Sequence, residues 1–381
     1  MTVGALDVNE RQQLKESVRA ACERFAPEGR VRAVAYDGAT ESPGFDRELW
    51  KVLCCQVGVT AIALPGDFGG AGLGASALAV VAHELGRALA PVPFVASAVL
   101  ATGLLLETLD SDLGCRDRIS RLVDGERTAA VALTADGGLW HRGSVILTAD
   151  ETSDGWKISG TVRHVLNGSA ADDLVVAANT NESALALFLL SASAQRVSAV
   201  AESVLDGTRP MATIAFDATP AIRLASSGAM EDAISRNFDR ALAVLAAEQV
   251  GACERVLEIA TEYAGTREQF NRTIGSFQAI KHKCADMLVG LEWARSAAYA
   301  ALDAVDGAAP GESGWRASMA KAVCSEALRD AAHANIQIHG GIGFTWEDAA
   351  HLYMRRARTD EVLFGKPAEH WDRLAEEAEI L

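Results

Sequence analysis

Basic residues are scarce. Lys and Arg number 35 against 51 Asp and Glu, a formal net charge of −16 over 381 residues. Such a surface repels phosphate backbones and anionic lipid, which argues against nucleic acid and membrane as partners. The seven cysteines are scattered, with Cys54 and Cys55 adjacent and no C-x-x-C pair. That leaves neither a disulfide framework nor a zinc site, and it suits a reducing cytoplasm. No run of about 18 apolar residues is present to cross a bilayer. The opening MTVGALDVNERQQ has no apolar core, so no secretory leader is expected. No internal repeat is visible.

Apolar residues, in contrast, make up 49% of the chain, enough for large cores in two or three domains. The first part reads as helices. Asp7 caps a helix over 7–25 that sets Leu14, Val18, Ala21 and Phe25 on one side. A polar stretch, Ala26 to Phe45, follows. Arg47 to Val57 is helical, and the glycine-rich loop IALPGDFGGAGLG (62–74) precedes an apolar helix over 75–89. The prolines of APVPF stop that helix. Ser97 to Leu106 and Arg116 to Val123 continue the helical pattern, giving an all-α domain over 1–125.

From Thr128 to about Phe216 short β-branched or apolar runs alternate with turns, as in GWKISGTVRHVL, DDLVVAAN, ALALFLLS and MATIAF. These predict a small antiparallel barrel or sandwich over 126–225. Helices return over 229–265, 278–304, 315–338 and 347–356, expected as a four-helix bundle in a domain over 226–381. The fold class is α+β. Gly72-x-Gly74-x-x-Ala77 has the spacing of a dinucleotide fingerprint, but no βαβ unit surrounds it.

Two stretches carry chemistry. In Tyr263 to Met287, YAGTREQFNRTIGSFQAIKHKCADM, a polar turn between helices holds Arg267, Phe270, Arg272 and Gln278. Guanidinium forks and helix N-termini bind phosphates, and an aromatic ring can lie against a flat heterocycle. The plainer reading is a structural turn with basic residues. In Gln337 to Phe344, QIHGGIGF, Gly340 and Gly341 allow a backbone to come close to a ligand.

Together these stretches resemble those of flavin-dependent acyl-CoA dehydrogenases. REQFNRTIGSFQAIKHKCADM is similar to the family's R-x-x-F-G-x-x-I-x-x-F-Q-x-x-x-x-x-x-A-D-M segment, and QIHGGIGFT to its Q-x-x-G-G-x-G-[FY]-[TS] segment. ALPGDFGGAGLG and HELGRALAPVPF extend the resemblance over nearly the whole chain. It implies a helical, β, helical architecture, FAD as cofactor, an acyl-CoA substrate and an electron-transfer acceptor for the flavin. It also implies a dimer of dimers. Arg267, Phe270, Gln278, Gln337, Gly340 and Gly341 match residues that reach across a dimer interface to the flavin of the neighbouring subunit. Thr134 matches the start of the pattern that holds the chain's own flavin. Asn271 stands where the family has glycine, and the loop over 62–74 corresponds to one near the acyl-binding cleft.

The resemblance also exposes losses. The family's Y-E-G-T segment, source of its general base, reads Leu363-Phe364-Gly365-Lys366, so Phe364 replaces the glutamate. A second family position for the base, on the long helix, matches Ala241. Glu248, on the same helix face, and Glu361 remain as candidate bases; each also reads as structural or solvated. T-E-P-x-x-G-S-D reads Thr134-Ala135-Asp136-Gly137-Gly138, and K-x-W-I-[ST]-N reads Val162-Arg163-His164-Val165-Leu166-Asn167. His164 thus takes the place of a flavin-packing tryptophan and Leu166 that of a hydroxyl residue; His164 also reads as a half-exposed strand histidine. The half-site serving a neighbour is whole, and the half-site serving the chain itself is eroded. The expected function is therefore the degenerate, supporting subunit of an actinobacterial-type heteromeric acyl-CoA dehydrogenase, acting on a bulky CoA ester such as a steroid-derived one. The alternatives are a self-sufficient homomer with Glu248 as displaced base, and a CoA-ester or flavin-binding relative without dehydrogenation.

Overall fold

The computed structural model describes residues 4–37, 44–108, 113–181, 184–224, 229–307 and 311–378. The domain boundary expected at 225/226 and part of the polar stretch over 26–45 lie outside them. Helices come first: α1 (Val8–Phe25), α2 (Glu28–Tyr36), α3 (Arg47–Val52), α4 (Ala75–Arg87), α5 (Thr102–Glu107) and α6 (Leu113–Val123). Asp7 and Glu10 form a reciprocal capping box at α1, with N–H to carboxylate distances of 2.8 and 2.9 Å. The buried segment Phe94–Ala101 is a π-helix, a rare wide turn that gathers at functional sites. At the start of α4 the Asp306 carboxylate accepts from the N–H groups of Ala75 (2.6 Å) and Ser76 (2.8 Å). The fingerprint-like loop thus meets an anion of the protein's own.

Seven strands follow: β1 (Ala129–Ala132), β2 (Thr148–Thr152), β3 (Gly155–Leu166), β4 (Asp173–Thr180), β5 (Leu185–Ser191), β6 (Val197–Ala201) and β7 (Met211–Leu224). The cycle β4–β2–β3–β7–β5–β4 closes a barrel. Strands β1 and β2 share one edge of β4 and run parallel to it; the other pairings of the barrel sheet are antiparallel. Ile158, Val162, Val176, Phe188 and Ile214 belong to its inner core. The opposite face of β4 and β5, Val175, Ala177, Leu187 and Leu189, packs into the helical core. Strand β7 continues past Phe216, where the apolar pattern stops, and carries Pro220 opposite Lys157.

The remaining elements are α7 (Met230–Thr266), β8 (Glu268–Gln269), β9 (Arg272–Thr273), α8 (Gln278–Gly307), α9 (Ser313–His339), α10 (Ala350–Val362) and α11 (Pro367–Glu377). Helix α7 is buried without a break from Ala241 to Cys253, because α4, α8 and α9 surround it. Helix α11 is an addition to the expected four. Pro367 starts it and the Lys366 N–H donates to Glu369 Oε2 at 2.6 Å. Only Pro367 and His370 of it are buried, so it has no long apolar stripe to read. It returns against α9 and fixes the short loop 363–366 beside the barrel. No helix among the described residues is long and apolar enough to cross a membrane.

Candidate functional site

The first of two places is an exposed arm. Strands β8 and β9 pair as a hairpin whose two turn residues, Phe270 and Asn271, have φ of +54° and +58°. A tight hairpin of this kind requires left-handed backbone at both positions. Asparagine tolerates it; a phenylalanine is strained there. The Phe270 ring is nonetheless 86% exposed, so neither its backbone nor its burial explains it, and such strain is a mark of function. Phe277 meets Phe270 edge-on at 6.1 Å, and the Arg272 guanidinium lies 3.9 Å from the Phe277 ring centroid. Arg267 is exposed, and among the described residues its side chain has no hydrogen bond or ion pair. Gln278 opens α8, also exposed.

The second sequence stretch lies at the adjoining end of α9. Tyr263 stacks on His339 with centroids 4.1 Å apart and planes at 21°, which ties the base of the hairpin to the base of the glycine pair. Gln337, Gly340 and Gly341 are exposed. Gly340 has φ of +65°, and an added Cβ at either glycine would meet nothing within 4 Å. Phe344 stands 75% exposed beside them. The structure therefore brings Arg267, Phe270, Gln278, Gln337, Gly340 and Gly341 to one end of the bundle. Free guanidinium, bare ring and open backbone suit phosphates and a flat heterocycle presented from outside the chain.

The second place is a cavity between barrel and helices, lined by Ala96, Leu100, Thr134, His164, Phe238 and Phe364 among others, with a volume of about 30 Å³. That is room for a water or two, not for a flavin ring. Phe364 lines it, with its ring edge-on to Phe238 at 5.6 Å and its φ at +60°. Three hydrogen bonds hold this strained backbone. The Phe364 N–H donates to the Gly137 carbonyl (3.1 Å), His370 Nε2 donates to the Phe364 carbonyl (3.1 Å), and Lys321 Nζ donates to the Gly365 carbonyl (3.1 Å). Lys321 is fully buried, and that burial pushes its ammonium down to about 8. Burial, with Lys321 and Arg373 close by, pushes His370 down to about 3, so the ring is neutral.

His164 is half-buried, as a strand histidine would be, with added features. Its φ is +55°, and β3 slips register against β7 between Val162 and Val165. Its Nδ1 lies 2.5 Å from Glu202 Oε2. Glu202 Oε1 accepts from the His164 N–H (3.1 Å) and the Thr213 hydroxyl (2.6 Å). Burial would raise the Glu202 carboxyl, but Thr213 and His164 hold it below its usual range.

Both remaining base candidates lie elsewhere. Glu248 is 4% exposed and does not line the cavity. Its Oε1 accepts from Arg209 Nη2 and Arg356 Nη1, each at 2.6 Å. Arg356 also binds Asp206 (2.7 Å) and Arg209 binds Asp360 (3.1 Å). A carboxylate held by two guanidiniums joins the loop before β7 to α7 and α10 and is not placed to take a proton from a substrate. Glu361 pairs with Arg329 (3.0 Å) and Arg358 (2.7 Å). Ala241 is fully buried; Phe238, three residues earlier, is the α7 residue that reaches the cavity. Phe238, Glu202, Lys321 and His370 were not picked out by sequence. Only Lys321 leaves a signal, since it interrupts the apolar stripe Ala317, Cys324 and Leu328 of α9.

Comparison with known proteins decides the family. Residues 9–110 match the model of the acyl-CoA dehydrogenase N-terminal domain and 231–378 that of the C-terminal domain. The chain is 34% identical over 368 residues to acyl-CoA dehydrogenase IpdE2 of Mycobacterium tuberculosis, covering 97% of each. The chain belongs to the acyl-CoA dehydrogenase family. Among solved structures it is similar to a variant of the Tcur3481-Tcur3483 steroid ACAD, with TM-score 0.86, 30% identity and 98% of each chain covered. It is also similar to the ChsE4-ChsE5 complex from Mycobacterium tuberculosis, with TM-score 0.85, 27% identity and 100% of each chain covered. The family consists of FAD-dependent oxidoreductases acting on a CH–CH bond of an acyl-CoA. Set against that cofactor, the two places differ. The arm has exposed side chains, with Arg267 unpaired among the described residues; the cavity has room for a water or two.

Proposed function

We propose that this chain is the supporting subunit of a heteromeric FAD-dependent acyl-CoA dehydrogenase, paired with a homologous subunit that supplies the general base. One contrast carries the reading: the cavity is small and has Phe364 on its lining, while on the arm Arg267 has no partner among the described residues and the Phe270 ring is 86% exposed. In the assembled enzyme Arg267 would pair with the pyrophosphate of the partner's FAD. Phe270, Gln278, Gln337 and the backbone at Gly340 and Gly341 would line its adenosine end. Bound there, FAD would accept the hydride from the substrate's β-carbon. The chain's own part is to bind and orient, and Phe364 leaves it no carboxylate to take the α-proton.

The partner face is supported by α8. Leu288 (49% exposed), Val289 (58%) and Trp293 (70%) lie on one side of that helix and need cover. A dimer of dimers would bury them. A bulky, steroid-derived CoA ester is the favoured substrate class, on the likeness to a protein described as a steroid ACAD. An electron-transfer acceptor would reoxidise the flavin. The cysteines described are free, which fits work in a reducing cytoplasm. The test is the absorbance spectrum of the purified chain, alone and co-expressed with a homologous subunit from the same genome. Colourless protein alone and a flavin spectrum with dehydrogenase activity in the complex are expected. Stoichiometric flavin and turnover in the isolated chain would overturn the reading.

A further inference from the structure

Arg163 and His164 are neighbours on β3, and a regular strand would send their side chains to opposite faces. The left-handed backbone at His164 and the register shift between Val162 and Val165 break that alternation. Both residues line the same cavity. Among the described residues they are the only charged or titratable side chains lining it, and no carboxylate does. In a chain of net charge −16, a cavity with basic groups and no acid is a departure from the surface average.

The histidine is held for use. Glu202 takes its Nδ1 at 2.5 Å, which leaves Nε2 free. Among the described residues neither Nε2 of His164 nor the guanidinium of Arg163 has a hydrogen-bond partner. Thr134 is on the same lining. We propose that this cavity mouth binds the head of a small oxyanion, a carboxylate or a phosphate monoester, with Arg163 and His164 as its donors. The volume of about 30 Å³, room for a water or two, takes only oxygens of such a head and leaves the rest of the ligand outside. The strained backbone of His164 finds its reason in this placement. The site stands whether or not the chain serves a partner's flavin.

Calorimetric titration of the full-length chain with sodium acetate and with inorganic phosphate tests it, at constant ionic strength with chloride as control. Saturable binding is expected, weakened about tenfold or more in Arg163→Gln and in His164→Asn. Asparagine tolerates the left-handed backbone at 164, and Arg163 is exposed, so both variants keep the fold; circular dichroism checks this. Acetate binding tighter than phosphate assigns a carboxylate ligand, and the reverse order a phosphate. No heat above chloride from either anion, or binding that both variants retain, overturns the proposal.

Discussion

His83 lies between two carboxylates, its Nδ1 3.0 Å from Glu84 Oε1 and its Nε2 3.3 Å from Glu254 Oε2. Only the imidazolium has an N–H for each; the neutral ring would turn a lone pair toward one of them. Burial pushes the ring's pKa down, but hydrogen bonds to Glu254 and Glu84 outweigh it and raise the value. Glu254 is in turn held at about 2, first by the His83 hydrogen bond, with Arg87 also contributing. Arg19, Lys15, Arg87 and Arg295 surround the trio. The cluster joins α1 and α4 to α7 and α8.

The sign of the pH dependence follows. A raised histidine stabilises fully below its unfolded pKa of about 6.5 and loses that contribution as pH rises through its folded value. Glu254 stabilises fully above its unfolded value near 4.5 and loses the contribution as pH falls toward 2. Thermal melting should therefore plateau between these limits and decline on the alkaline side. His83→Gln should flatten the alkaline decline. Parallel alkaline slopes in the two proteins would show that the clamp contributes nothing.

Glu248→Gln should destabilise the fold strongly. It leaves Arg209 and Arg356 short of their shared acceptor in a buried place, and breaking such a pair costs about 3–5 kcal/mol. Denaturant unfolding of the variant measures it. Unchanged stability together with lost turnover in the assembled enzyme would instead return Glu248 to the role of base.

The legible and hidden parts of this molecule divide along physical lines. The arm could be read because its polar residues are close in sequence and its turn is forced by two helix ends. The missing base could be read because one substitution, Phe364, falls in a short segment. The buried ion network could not, since Asp206, Glu248 and Arg356 come from a loop and two helices far apart in sequence. The left-handed turn at His164 depends on β7, and its partner Glu202 lies beyond three further strands. Helix α11 was hidden because only two of its residues are buried.

Arg267→Ala should leave folding untouched, because the side chain has no intramolecular partner among the described residues. In the heteromeric complex it should weaken flavin retention about ten- to a hundredfold, the loss of one charge-assisted pair. Flavin release during dialysis, followed by absorbance, reads this. Retention equal to the parent complex would reduce Arg267 to an ordinary surface residue.

Trp293→Glu should block assembly. The ring is 70% exposed on the apolar side of α8, and a charge there would have to be desolvated in a partner interface. Light scattering should show a smaller species with an unchanged circular dichroism spectrum. A variant that assembles like the parent would place the interface elsewhere.

Phe364→Glu in the isolated chain should not create a dehydrogenase. Restoring a carboxylate supplies the general base, a gain of roughly 10²–10⁴-fold where the rest of a site exists. Here the rest does not exist. The cavity behind position 364 holds about 30 Å³, and Phe238 still fills its α7 side. The new carboxylate would also sit in a loop pinned by Lys321 and His370, whose cation should keep it ionised without a substrate to act on. A dye-coupled assay with several acyl-CoA esters should therefore stay at background for both the parent chain and the variant. Turnover appearing in Phe364→Glu alone would mean that the cavity opens to flavin and substrate, and that the substitution at 364 is the whole of what this subunit lacks.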